Sequence, residues 1–240
     1  MLSWLRFCID KYNRTMKKSL WMLITILLFC SHIGVYGQIP DEVKNMWIAC
    51  KKKMNNPAGT QLNMNIHMSM LIIKTDMQVV VSGKGGKSLM KGSMKIMGRE
   101  FAMEHGFDGQ QEWKYKHLKL KEGDEEKGKE RKDTLFITKT NKKSAGNADI
   151  DFDLIEDYQK ATVKQEGRYH VITLSKPKSK DDPKKITIKI DKEKSLLREM
   201  SYKESGARIT MTITRITFGV NDNIFMLDTS KYPGAIIVRK

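Results

Sequence analysis

The sequence predicts a mostly β fold with a minor helical part, and three observations carry that reading. From Thr60 onward apolar residues recur at every second position; glycine-rich turns punctuate these runs; and one stretch, ahead of them all, has helical spacing instead. The runs are too many and too evenly spaced for a parallel sheet with crossover helices. The 240 residues hold 44 Lys+Arg against 28 Asp+Glu, a net charge of +16, with 40% hydrophobic and 30% charged residues. That composition builds a core and excludes disordered or collagen-like chains. Three cysteines exclude a disulfide framework.

The first 37 residues read as an export signal. Lys17 and Lys18 precede the apolar run Leu20 to Cys30, and Gly34-Val35-Tyr36-Gly37 supplies the cleavage region, which leaves Gln38 first in the mature chain. Eleven apolar residues fall short of the roughly 20 that a spanning helix needs. Met16 directly precedes the lysine pair, so residues 1 to 15 read as an upstream start. Phe29 before Cys30 argues against lipidation there. Cleavage removes five basic residues and one acidic one, leaving 39 against 27, or +12, and Cys50 as the one thiol. Its place in a helical stripe makes it a small buried hydrophobe.

Residues 38 to 240 are expected to form one domain. Val43, Met46, Trp47, Cys50 and Met54 form one face of a helix whose first turn holds Asp41 and Glu42 and whose last turn holds Lys51, Lys52 and Lys53, as the helix dipole favours. Pro40 precedes it and Asn55-Asn56-Pro57 ends it. Leu62, Met64, Ile66, Met68 and Met70 then share one face of a long strand. Strands follow at 77 to 82, 88 to 97, 100 to 105, 112 to 120, 134 to 140, 169 to 175, 185 to 191, 197 to 204, 207 to 218 and 235 to 238. Ile209, Met211 and Ile213 share one parity but Ile216 and Phe218 take the other, which predicts a bulge near Thr214 and Arg215. Between 119 and 133, twelve of fifteen residues are charged, six of each sign, a solvated segment without a net field. Asn147 to Lys160 is expected to hold a short helix, with Leu154, Ile155 and Tyr158 as its apolar face behind Asp149, Asp151 and Asp153. Lys176 to Pro183 is expected to be an exposed hairpin tip.

Motif chemistry is sparse. Gly83-Lys84-Gly85-Gly86-Lys87-Ser88 ends like a phosphate-binding loop, but Val81 stands where the first glycine belongs and a strand follows where a helix is required. Asp149-Ile150-Asp151-Phe152-Asp153 resembles the start of a calcium loop, yet Leu154 and Lys160 occupy the positions of its glycine and bidentate glutamate. His67, His105, His117 and His170 are isolated from one another, and no nucleophile stands beside a base and an orienting group. The chain is therefore expected to be no enzyme and to hold neither cofactor nor metal. Its basic surface suits anionic membranes or acidic partners, not nucleic acid, which an exported protein seldom meets. Methionine is the distinctive residue: ten of the thirteen mature ones lie between Met46 and Met103. Flexible thioethers specify a core poorly but adapt well to varied ligands, so an ordinary core and a malleable cavity are both open readings.

Several stretches together resemble the LolA-type outer-membrane lipoprotein carriers and related lipoprotein-sorting proteins. They are the helix after the signal, the strand opening at Gly59-Thr60, Phe107-Asp108-Gly109-Gln110-Gln111-Glu112-Trp113-Lys114-Tyr115, the segment Ile150 to Tyr158, Ile188-Lys189-Ile190-Asp191, Ile213 to Phe218 and Asn223-Ile224-Phe225. The resemblance implies an unclosed antiparallel β-barrel, a half-barrel wrapped over the N-terminal helix and a short lid helix. It implies a monomeric periplasmic carrier of lipoprotein acyl chains or other lipids, working between an inner-membrane donor and an outer-membrane acceptor. The expected lipid cavity comprises Leu62, Met64, Ile66, Met68, Met70, Met94, Ile96, Met103, Met211 and Ile213, with Leu154, Ile155 and Tyr158 as lid. The resemblance makes Arg99 the nearest candidate for the family's gating arginine, although Glu100 stands where the family has proline. The alternative is a sensor or interaction module of the same fold whose core is filled by its own side chains.

Overall fold

A computed structural model describes residues 39–70, 73–96, 99–119, 133–139, 153–204 and 206–239. The expected export signal, most of the charged segment after Lys119, and the three aspartates' first two members, Asp149 and Asp151, lie outside these residues. The helical stripe forms α1 (Asp41–Met54), which buries Val43, Trp47, Cys50 and Met54 as predicted. No side chain caps its start; the Pro40 carbonyl accepts from the Val43 and Lys44 amides at 3.0 and 3.2 Å. At its end the Thr60 hydroxyl donates to the Met54 carbonyl at 2.5 Å, tying the helix to the first strand. Between them Gly59 adopts φ +90, and a Cβ there would meet Lys84 Cβ and Val220 Cβ at 3.0 Å, so only glycine lets three chain segments cross.

The period-two runs become β1 (Thr60–Met70), β2 (Ile73–Lys84), β3 (Lys87–Ile96), β4 (Arg99–Phe107), β5 (Gln111–Lys119), β6 (Thr134–Lys139), β7 (Tyr158–Glu166), β8 (Tyr169–Pro177), β9 (Lys185–Asp191), β10 (Leu196–Glu204), β11 (Ala207–Phe218) and β12 (Ile236–Arg239). They form one sheet in the order β12-β6-β5-β4-β3-β2-β1-β11-β10-β9-β8-β7, antiparallel throughout except for the parallel pair β12 and β6. β12 and β7 remain edges, so the sheet is an unclosed antiparallel barrel, as expected. The bulge falls where parity predicted it. Asn63 pairs with Arg215 and Met64 with Ile213, leaving Thr214 as the extra residue, and its hydroxyl donates to the Asn63 carbonyl at 3.0 Å.

Two expectations need correction. Among the described residues the segment before Lys160 is not a helix carrying Leu154, Ile155 and Tyr158 together: Asp153–Ile155 is a single 3-10 turn, and Tyr158 is the first residue of β7, which sequence analysis did not anticipate. The reason is pairing, since Ala161, Thr162 and Val163 sit opposite Leu174, Thr173 and Ile172 of β8, and cross-strand packing outweighs one turn of helix. Nor is the tip at 176 to 183 wholly exposed. Pro183 is buried, its carbonyl accepts from the Tyr158 hydroxyl at 2.8 Å, and the Lys178 amide reaches the Asp157 carbonyl at 2.8 Å.

The sheet packs on both faces. Its inner face, with Leu62, Met64 and Ile66 of β1, closes over α1 and the 3-10 turn in one large apolar cluster that runs through β8–β11. Its outer face holds a second cluster, in which Leu89, Trp113, Leu135 and Ile137 lie under the C-terminal residues Val220, Phe225 and Tyr232. Trp113 lies flat over Gly106, its cross-strand partner; a Cβ on Gly106 would sit 2.0 Å from the indole ring. Glu104 Oε1 then accepts from the Trp113 indole at 3.1 Å and the Tyr232 hydroxyl at 2.6 Å, and Tyr232 also packs on Tyr115 at 4.6 Å. The Asp-Gly and Trp-x-Tyr stretch is thus the anchor for the C-terminus, on the face away from α1.

Candidate functional site

Strand register assembles the inner face into rows that cross the sheet. One row runs Leu62, Val81, Met90, His105, Lys114, Phe136 from β1 to β6. Leu62 is 0% exposed, Val81, Met90, His105 and Lys114 are half-buried, and Phe136 is 38% exposed. The next row, Met64, Val79, Gly92, Met103, Lys116, Thr134, goes from 2% at Met64 through a half-buried Met103 to an exposed Lys116 and a half-buried Thr134. The β1 end of these rows shares one buried cluster with helix α1, which approaches the sheet at β10 and β7, while the β4–β6 end is half-buried to exposed among the described residues. Gly92 helps shape the boundary, because a Cβ there would meet Met103 Cγ at 3.2 Å and Met77 Sδ at 3.6 Å. Its hydrogen leaves room for both thioethers to lie over the strand.

The expected cavity residues divide along this gradient. Leu62, Met64, Ile66, Met94, Met211 and Ile213 belong to the sealed cluster with α1, each no more than 8% exposed. Met68 lies half-buried at the margin of that cluster, and Met70 and Met103 are half-buried as well. Ile96 pairs with Arg99 at the start of β4, and their side chains lie outside the description. Leu154, Ile155 and Tyr158 are 1%, 3% and 1% exposed, packed into the core and not laid over an opening. Burial pushes the Tyr158 phenol well above its ordinary pKa, and pushes the Cys50 thiol up to about 11. Residues of this face not expected from the sequence are Met90 and Phe101, half-buried against the same cluster, and Lys114, Lys116 and Phe136 beyond them. Their alternation was visible, but the pairing that unites four strands into one surface was not.

The polar part of the open face is a cluster on β4 and β5. Glu112 Oε1 meets His105 Nε2 at 2.6 Å and Lys114 Nζ at 2.7 Å. Burial acts to raise the Glu112 pKa, but the bonds from Lys114 and His105 outweigh it and hold the carboxyl below its ordinary value. Burial moves His105 the opposite way and outweighs Glu112, so its imidazole stays neutral to lower pH than usual. Glu112 is thereby occupied by two neighbours. Lys116 has no ion pair among the described residues, and no group of three or more His, Cys, Asp or Glu side chains there could hold a metal.

An unclosed antiparallel barrel with one helix buried against its inner face and, among the described residues, a half-buried mixed polar and apolar face on β3–β6 defines the structural class. No family model matches the chain, and no curated protein does. Similar solved structures include a LolA superfamily protein from Nitrosomonas europaea, at 9% identity and TM-score 0.31, over 81% of this chain and 99% of that one. Mycobacterium tuberculosis lipoprotein LppX is similar at 10% identity and TM-score 0.43, over 75% and 98%. A chain of the Pseudomonas aeruginosa MucA/MucB complex is similar at 7% identity and TM-score 0.37, over 78% and 62%. At such values function has to be argued from this chain's own side chains.

Proposed function

We propose that this protein is a non-enzymatic periplasmic carrier that shelters acyl chains of lipoproteins or other lipids on the open inner face of β3–β6 and moves them toward the outer membrane. The observation that supports this is the burial gradient within single rows of the sheet, from sealed at Leu62 and Met64 to open at Phe136 and Lys116. A methylene removed from water contributes roughly 0.8 kcal/mol, so half-enclosing a sixteen-carbon chain would gain about 6 kcal/mol before ordering costs. Partial enclosure also lets the cargo leave, and the adaptable Met68, Met90 and Met103 suit that reversible binding. The sealed cluster under α1 favours a second reading, an interaction module with a self-filled core.

Native mass spectrometry of protein recovered from its own envelope, combined with titration of a fluorescent fatty acid, decides between them. The carrier should copurify with acylated molecules, and Met103→Asp should weaken the probe by tenfold or more, since a half-buried charge replaces an apolar wall. Absence of acylated cargo together with absence of probe binding leaves the interaction module.

A further inference from the structure

Helix α1 buries Val43, Trp47, Cys50 and Met54 and turns its other side to solvent, where Ile48 is 61% exposed. A lone exposed isoleucine carries nothing by itself; its surroundings do. Lys44 and Lys52 stand one helical turn before and after it on the same stripe, and Lys51 lies one position short of Lys52. Lys53 donates to the Lys194 carbonyl at 2.9 Å, which joins the end of the helix to the turn between β9 and β10 and adds Lys192 and Lys194 to the patch. Most of this charge is uncompensated. Lys53 and Lys192 bond to neutral oxygens, the latter to Gln165 Oε1 at 2.8 Å, and Lys52 and Lys194 have no ion pair among the described residues. Asp41 meets Lys44 at 3.2 Å, but both groups are exposed and water screens such a pair; Glu42 and Glu193 are the other exposed carboxylates of these two segments. Met226 gives the contrast. It is as exposed, at 65%, yet its chain neighbours Asp222 and Asp228 are acidic.

We infer that this end of α1, with the β9–β10 turn, is the surface by which the protein rests on an anionic bilayer, Ile48 entering the acyl boundary and the lysines reaching lipid phosphates. The patch is convex and its cations sit on long flexible stems, so it holds no pocket to fix a partner of defined shape. A fluid surface needs none. It supplies a phosphate wherever an ammonium group lies and admits one apolar side chain between headgroups. This contact is separate from whatever the inner face of the sheet carries.

The test is sedimentation of the purified protein with phosphatidylcholine vesicles made with and without phosphatidylglycerol, at low salt. Wild type should bind the mixed vesicles and leave phosphatidylcholine alone in solution. Ile48→Ser should weaken binding about tenfold, through loss of the apolar anchor, whereas Met226→Ser should leave it unchanged. Lys52→Gln should weaken it about fivefold, the effect of one lysine at an anionic surface. Lys203→Gln removes the same charge from an exposed position of β10 whose side chain faces away from α1, and should have less than half that effect. Equal effects of Ile48→Ser and Met226→Ser, or of Lys52→Gln and Lys203→Gln, would show a diffuse attraction without a docking face and overturn the inference. So would binding of pure phosphatidylcholine as strongly as the mixture. Failure of wild type to bind any vesicle overturns it too and leaves the patch to an acidic protein partner, while copurified acyl cargo would still report separately on the carrier reading.

Discussion

Single atoms decide several features of this fold. Gly106 is one, because a methyl group there would lie 2.0 Å from Trp113, which is 1% exposed and hydrogen-bonded to Glu104. Gly106→Ala should lower unfolding stability by about 3 kcal/mol in a urea titration, as the indole must leave its seat and drag Tyr232 with it. Asp191 is another. Its Oδ1 accepts from the Lys194 and Glu193 amides at 3.0 and 3.2 Å and its Oδ2 from Arg168 at 2.5 Å, and these bonds, the Lys194 amide's first, hold its pKa below the ordinary 3.8. The unfolded chain therefore takes up the proton first as pH falls. Asp191 stabilises the fold above about pH 4, and that contribution disappears as pH drops through its folded pKa. Asp191→Asn should be less stable than wild type at pH 7, and the gap should close in acid; a gap constant from pH 7 to pH 2 would count against this account. Cys50, 1% exposed with its pKa near 11, should resist thiol reagents at pH 8 until the protein is unfolded.

At the scale of elements, α1 and the C-terminal segment do parallel work on opposite faces. Each brings aromatic or large apolar residues to a sheet that could not otherwise bury them: Trp47 inside, Phe225 and Tyr232 outside. Trp47→Ala should cost roughly 3–5 kcal/mol, read as a lower urea midpoint, because the cavity opens at the centre of the helix contact. Tyr232→Phe keeps the ring against Tyr115 and loses only the 2.6 Å bond to Glu104. Its cost should be nearer 1–2 kcal/mol. The bulge at Thr214 is an element-level device as well. It restores Ile216 to the inner face opposite Leu62 after Ile213 has paired with Met64, and it adds local twist at the middle of a twelve-residue strand.

For the whole molecule, charge and curvature act together. The charge expected after export, 39 basic against 27 acidic residues or +12, should draw the protein to vesicles containing anionic lipid, and sedimentation with them should fall as salt rises from 0.1 M to 1 M, since screening shortens from about 10 Å to about 3 Å. Much of the architecture was readable beforehand. Alternation in β1, helical spacing in α1, the parity change at Thr214 and the turn glycines are all local patterns, and local patterns survive in a sequence. β7 was missed because Tyr158 to Glu166 alternates weakly and is ordered by β8 alone, as an edge strand. Six of the ten expected cavity residues are sealed for a related reason. Side chains on one face of β1 are known to point together, but whether a helix covers them depends on where that helix docks.

The sequence by itself determined that the chain is built from strands with one early amphipathic helix, that β1 turns Leu62, Met64 and Ile66 to one side, and that a bulge interrupts β11. These follow from periods of 2 and 3.6 and from single-residue parity. Only the tertiary structure decided that α1 is buried with the β1 and β8–β11 side of the sheet while, among the described residues, Met103 is half-buried and Lys116 and Phe136 are exposed, and that Trp113 and Tyr115 serve the outer face instead of the interior. The physical reason is that register and docking join residues from β1 to β12 across long stretches of chain. Those energies belong to pairs of elements, and no single stretch of sequence contains them.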